Sequence, residues 1–352
     1  MLNVGIIGAG TISRNHIAAY KKNRNVKIVA IADINEQAAK ALAEEHGIDY
    51  YCTDYHDILN DKNIDAVSIA TPTFLHKQMV IEAIQSDKHI LCEKPPALNA
   101  QETQECIDAH KGSDKCFMYG LVCRFRNEMQ YLKQYIESGK MGKVICANVT
   151  RTSRMSTAPG WFGKKALGGG LLRDIGIHEI DSPLYLMGFP KIKSVLASVS
   201  YENARLPEAI QTNAGLNIKS PVDAPVPDTE SVVNAIITTE DGASITIKLS
   251  RVLLTVKTGY SIEIHGEKAG AEMQPIAPDK RISMVELTDD MYIREFSPTL
   301  TYGNHFPDEI NHFVDCCLNG TPCICPPEHG LVDMQIIDAI YKSAETGEPV
   351  IF

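Results

Sequence analysis

Residues 1 to about 120 alternate short, uninterrupted apolar runs with helical patterns, and this alternation narrows the possible folds more than any other feature. "NVGIIG" carries no polar interruption, as expected of a strand buried on both faces. A helix from about Thr11 to Lys22 follows, then the strand "VKIVAIAD" ending at Asp33. Asn35 is a candidate N-cap for a second helix that ends near Gly47. "DAVSIAT" and "KHILCEK" read as further strands, separated by a helix around His76 to Ser86. Parallel strands need crossovers of this length, so the pattern predicts βαβ units in a doubly wound parallel sheet.

The second half reads differently. Helical patterns at about 127–138 and 170–187 accompany long strand-like segments: "KVICANVTR", "SVLASVSY", "ESVVNAIITTEDGASITIKLS" and "YSIEIHGEKAGAEM". Asp241-Gly242 is a hairpin signal inside one of them. "EINHFVDCCLNG" and "LVDMQIIDAIYKSA" read as closing helices, and the 202–230 stretch shows no clear period. The expected fold class is therefore α/β: a Rossmann sheet, then an α/β domain with an open, mostly antiparallel sheet. The expected boundaries are 1–122 for dinucleotide binding and 123–352 for substrate binding and oligomerisation. The alternating "SVVNAIITT" and "SITIKLS" segments leave more apolar positions than a solvent face tolerates, which predicts a homo-oligomer, a dimer or tetramer.

Charge and cysteine usage exclude several partners. A net charge of −10 over 352 residues argues against nucleic acid, whose phosphates call for a basic face. No apolar run approaches the ~18 residues of a membrane helix. The first strand begins by Leu2 or Asn3, leaving no room for a signal peptide, so a cytoplasmic protein is expected. The ten cysteines form no C-x-x-C pair. Cys316-Cys317 and the C-x-C at Cys323 and Cys325 lack a matching second cluster, so buried reduced thiols and no metal are expected.

Three stretches carry chemistry. "GAGTIS" lies at the first strand–helix junction, where Gly8 permits a tight turn and Gly10 lets backbone approach a pyrophosphate. Thr11 and Ile12, opening the helix, join them as candidate cofactor-binding residues. Asp33, closing the second strand, is placed to accept bonds from ribose hydroxyls. "CEKPPA" ends another parallel strand, which puts Glu93 and Lys94 at the carboxyl edge where such sheets bind ligands. An ammonium at that edge can stabilise an alkoxide as hydride leaves. In "GGGLLRDIGIHEIDSPLYLMG", Asp174 and His178 share one face of a helix; Asp181 on the same edge reads as structural. Histidine, with an ordinary pKa near ~6.5, suits removal of a hydroxyl proton at neutral pH. Gly176 and the three glycines before the helix read as room for substrate or nicotinamide. Arg124, after the strand "CFMYGLVC", and Trp161 in "PGWF" are candidate substrate contacts.

"GIIGAGTISRNH", "ATPTFLH", "CEKP" and "GGGLLRDIGIHEID", in this order and spacing, resemble the Gfo/Idh/MocA oxidoreductases almost end to end. The resemblance implies an N-terminal Rossmann domain, a C-terminal α/β domain, and NAD(P)-dependent oxidation of sugar or polyol hydroxyls. By position, Lys94 matches the lysine of the family's E-K-P motif, and Asp174 and His178 match its D-x-G-x-H motif. Thr71, Pro72 and His76 match a T-P-x-x-x-H segment that borders the cofactor. Ser13 replaces the third glycine, Thr73 stands where asparagine is common, and the 202–230 stretch is long for the pattern. With Asp33 disfavouring a 2′-phosphate, the expected activity is NAD-dependent oxidation of a secondary hydroxyl on a sugar, glycoside or cyclic polyol. The alternative is a redox-neutral use of bound NAD, by epimerisation or by glycoside cleavage through a transient keto-sugar.

Overall fold

The computed structural model describes residues 1–153, 160–201, 227–252, 258–274, 281–301 and 303–352. Most of the 202–230 stretch singled out in the sequence thus lies outside the described residues. The chain divides into two compact units, 1–125 with 303–334, and 126–302 with 335–352.

The first unit is built on six strands: β1 (Leu2–Ile7), β2 (Val26–Ala32), β3 (Tyr50–Cys52), β4 (Ala66–Ile69), β5 (His89–Glu93) and β6 (Phe117–Gly120). Helices α1 (Thr11–Tyr20), α2 (Glu36–His46), α3 (His56–Asn60), α4 (His76–Gln85) and α5 (Ala100–His110) connect them. Every pairing is parallel. The spatial order is β3-β2-β1-β4-β5-β6, so the winding reverses between β1 and β4 and opens a crevice beyond the strands' carboxyl ends. The apolar runs are buried as expected, Val4, Ile6, Ile31, Val67 and Ile69 completely. The Asn35 side chain caps α2 by accepting the Ala38 N–H at 3.2 Å, and Gly47 ends it in the left-handed conformation. β3 and α3 span too few residues to show a period in sequence.

Among the described residues the second unit holds nine strands: β7 (Val144–Thr152), β8 (Ile192–Ser200), β9 (Val232–Thr239), β10 (Ser244–Ser250), β11 (Gly259–Gly266), β12 (Ala269–Met273), β13 (Ile282–Leu287), β14 (Ile293–Phe296) and β15 (Val350–Ile351). Their order is β14-β13-β12-β11-β7-β10-β9-β8-β15. All pairs are antiparallel except β7 with β10. The β9–β10 hairpin turns at Asp241-Gly242, with Gly242 at φ +91°. Along β9, Val233, Ala235 and Ile237 are buried while Ile236 is 48% exposed, the period-two signature of a sheet covered on one face. Helices α6 (Asn127–Glu137) and α7 (Ile177–Met187) pack together, and α7 lies against β7 and β10.

Helix α8 (Phe306–Asn319) and the start of α9 (Pro327–Thr346) pack within the first unit, α8 directly on α1. A single cut near residue 122 does not capture this return, because the buried faces of Ile310, Phe313 and Val314 join the first unit's core. Among the described residues no helix is long and apolar enough to cross a membrane.

Candidate active site

At the carboxyl edge of the first sheet, β1 turns into α1 through Gly8, whose φ is +104°. A Cβ there would lie 2.4 Å from the Ala70 carbonyl oxygen at the end of β4, so only glycine fits. Asp33 holds the same loop: its Oδ2 accepts the Ala9 N–H at 2.7 Å and its Oδ1 the Asn35 N–H at 2.8 Å. Ser13 is fully buried and its Oγ donates to the Gly8 carbonyl at 2.7 Å, a bond that a third glycine could not make. Gly10 is exposed, and a Cβ on it would meet nothing within 4 Å. Helix α1 begins with no side-chain hydrogen bond at its cap, so the N–H groups of its first turn, around Thr11 and Ile12, are left for a ligand. A dinucleotide pyrophosphate fits this open glycine and uncapped helix start, with the Asp33 carboxylate beside it.

The neighbouring loops are tied from beneath. His76 is buried, with Nδ1 2.7 Å from the Pro95 carbonyl and Nε2 2.9 Å from that of Thr71. Burial pushes its pKa down, against the pull of those two carbonyls. A neutral imidazole donates its one N–H to one of these carbonyls and lies against the other, so His76 acts as a brace between the 71–72 loop and the 94–95 loop. Thr71 and Pro72 themselves keep partial exposure. Glu93 is buried, its Oε1 3.0 Å from His16 Nε2 and its Oε2 accepting the Lys94 N–H at 3.2 Å. His16 Nδ1 lies 2.7 Å from Ser68 Oγ, which completes a buried chain from β4 to the lysine. Burial alone would raise Glu93, but the His16 bond and charge and then the Lys94 charge outweigh it, holding the carboxyl below its usual range. Lys94 itself is half-buried at the end of β5, and its peptide to Pro95 is cis.

In the second unit, residues 172–176 form a single π-turn that runs into α7. Such i→i+5 insertions often mark functional sites. From 170 to 186 only Asp174, Ile175 and His178 keep surface; everything else, Asp181 included, is buried. Asp174 Oδ2 is 3.4 Å from Arg251 Nη2, and Arg251 is itself buried at the end of β10. Leu172 N–H donates to Glu230 Oε1 at 2.6 Å, holding the start of the turn. Burial pushes the Glu230 carboxyl up.

The glycines here serve protein packing, not the open approach that the sequence suggested. A Cβ on Gly170, at φ +132°, would lie 2.7 Å from Glu230 Oε1, and one on Gly169 2.4 Å from the Phe162 carbonyl. One on Gly176 would press into Leu249 at 2.8 Å. Trp161 is half-buried and stacks on Phe162, ring centroids 4.0 Å apart. Arg124 is fully buried in the first unit, where its guanidinium bonds the Ile324 carbonyl and lies 2.9 Å from His329 Nδ1. That placement makes it a clamp between Ile324 and the first turn of α9. Residues absent from the sequence reading are His16, Glu230, Arg251 and Glu309. Arg251 meets Asp174 and Glu230 meets Leu172 only through the tertiary fold, and no local pattern marks either.

The comparisons with known proteins agree with this organisation. Residues 2–121 match the oxidoreductase family model for an NAD-binding Rossmann fold, and 133–352 match its C-terminal alpha/beta domain. The D-glucoside 3-dehydrogenase of Escherichia coli (strain K12) is 30% identical over 99% of this chain and 97% of its own. The myo-inositol 2-dehydrogenase of Thermotoga maritima is 26% identical over 98% and 96%. A levoglucosan dehydrogenase, solved with NADH and levoglucosan, superposes with a TM-score of 0.84 at 25% identity over 99% of each chain. With both family domains matched in order and the open glycine loop and π-turn in place, the chain belongs to the Gfo/Idh/MocA oxidoreductase family.

Proposed function

We propose that the protein is an NAD-dependent dehydrogenase that oxidises a secondary hydroxyl of a sugar, glycoside or cyclic polyol. One observation carries the reading: in an otherwise buried segment, the fold leaves surface to Asp174, Ile175 and His178, two of them a carboxylate and an imidazole. Two such groups one helical turn apart, both partly exposed, suit contact with a solute. Support comes from relatives named for glucoside, inositol and levoglucosan dehydrogenation.

In this reading Gly8, Gly10, Thr11, Ile12 and Asp33 bind the dinucleotide, bordered by Thr71 and Pro72. His76 and Glu93 hold that border in place from beneath. When bound, NAD supplies the hydride acceptor. His178 takes the hydroxyl proton, the Lys94 ammonium stabilises the oxyanion that develops, and Asp174, tethered by Arg251, orients the site. Trp161 offers an aromatic wall for a sugar ring. The protein works as a homo-oligomer through the exposed apolar positions of its second sheet.

A panel of glucosides, inositols and anhydrosugars with NAD, followed by NADH absorbance and product mass together, tests the proposal. The expected result is stoichiometric NADH and a product two hydrogens lighter than substrate. An isomerised or cleaved product with no net NADH would overturn it in favour of redox-neutral chemistry.

A further inference from the structure

The first unit also gathers cysteines far apart in sequence. The sulfurs of Cys116, Cys316 and Cys323 all lie within 4.8 Å of one another. Cys116 immediately precedes β6, Cys316 sits near the end of α8, and Cys323 lies in the loop after it. His312, one turn before Cys316, places Nε2 3.4 Å from the Cys316 sulfur. Two sulfurs on one tetrahedral zinc stand ~3.8 Å apart, given Zn–S bonds of ~2.3 Å. A sulfur and an imidazole nitrogen stand ~3.6 Å apart by the same geometry. Three sulfurs within 4.8 Å of one another, with an imidazole nitrogen 3.4 Å from one of them, are close enough to converge on a single ion.

We propose that Cys116, Cys316 and Cys323 form a three-thiolate site for one divalent thiophilic metal ion, zinc by class, with His312, now beside Cys316 alone, turning in as the fourth ligand. The cluster is also largely shielded from water: Cys316 is buried and Cys116 and Cys323 are half-buried, a setting in which gathered thiols suit a soft cation. His312 Nε2 now accepts the Ile324 N–H at 3.0 Å, and metal binding exchanges that bond for the ion.

The position assigns the ion a structural role. Cys116 is at the amino end of β6, the edge strand, whereas dinucleotides bind beyond the carboxyl ends. The ion would clip that edge to the α8 segment, which the chain reaches only after residues 126–302 of the second unit. Closing so long a loop removes much freedom from the unfolded chain.

Metal analysis of the full chain, loaded with zinc and dialysed against metal-free buffer, tests this. One zinc per chain is expected. Cobalt(II) in its place should show thiolate charge-transfer bands and the intense visible bands of a tetrahedral ion. Cys316→Ser and Cys323→Ser should lose the metal and melt several degrees lower. Cys317→Ser, at the adjacent thiol, should keep both. Wild-type chain that retains no zinc and gives only octahedral cobalt spectra would overturn the proposal, even if the variants fail to fold. So would an intact mass showing a disulfide among these cysteines in protein kept under reductant. Loss of metal from Cys317→Ser together with retention by His312→Ala would overturn His312 as the fourth ligand.

Discussion

Neither carboxylate oxygen of Glu309 has a hydrogen-bond partner, and the residue is fully buried within 4.8 Å of His16 and Glu93. Burial first, and the Glu93 charge second, push its pKa well above the ordinary carboxyl value. The folded protein therefore holds a proton here that the unfolded chain releases above about pH 4.3. Stability from this group is complete below that pH and erodes as pH rises toward the folded value. Glu309→Gln removes the dependence. It should be more stable than wild type to urea at pH 7, with the gap closing as pH falls toward 4.5; a gap that widens on acidification would refute the assignment. At Asp33, both oxygens already accept backbone N–H groups, and the following residues, the 93%-exposed Ile34 and Asn35, offer no cation for a 2′-phosphate. Titration of wild-type protein should find NAD bound more tightly than NADP; equal affinities would count against this role. Lys94→Ala and His178→Ala should each lower turnover about 10²–10⁴-fold. NAD affinity should change little for His178→Ala. Near-normal turnover in either variant on a confirmed substrate would return that residue to a merely solvated role.

At the scale of elements, the π-turn is the feature that most needs outside support. Its first N–H groups cannot all be satisfied within the helix, and Glu230 takes the one from Leu172. Removing a buried acceptor leaves that donor unpaired, at a cost of about 1–3 kcal/mol. Glu230→Ala should therefore lower the unfolding free energy from urea titration by that amount and reduce activity, since Asp174 sits on the same turn. Glu230→Gln keeps a carbonyl acceptor and should recover most of both. Equal losses in the two variants would mean that charge, not the hydrogen bond, holds the turn.

At the scale of the whole molecule, several apolar side chains of the second sheet are exposed among the described residues. Leu196 faces Ile236 across β8 and β9 at 45% and 48% exposure, with Val285 and Leu287 exposed further along. Apolar strand residues in that state usually mark an interface. Light scattering at micromolar concentration should return a dimer or larger assembly, and Ile236→Lys with Leu196→Lys should weaken it. A wild-type monomer would exclude this use of the face.

The amino-acid sequence alone determined what depends on short-range periodicity and capping. The uninterrupted runs ending at Gly8, Asp33 and Glu93 specify parallel strands, because a strand buried on both faces has no polar position to spare. Asn35 and Gly47 bound α2 by local backbone chemistry, and Asp241-Gly242 bends its hairpin the same way. The positions of Lys94, Asp174 and His178 were legible because each sits at an element end that local pattern locates. Tertiary structure alone decided the rest. Gly169, Gly170 and Gly176 are small because Phe162, Glu230 and Leu249 press on them, and Arg124 is a clamp because Ile324 and the start of α9 close over it. The return of α8 to the first unit and the meeting of Cys116 with Cys316 and Cys323 belong here too. Each depends on groups brought together across long stretches of chain, and side-chain periodicity carries no information about which distant element will cover a given face.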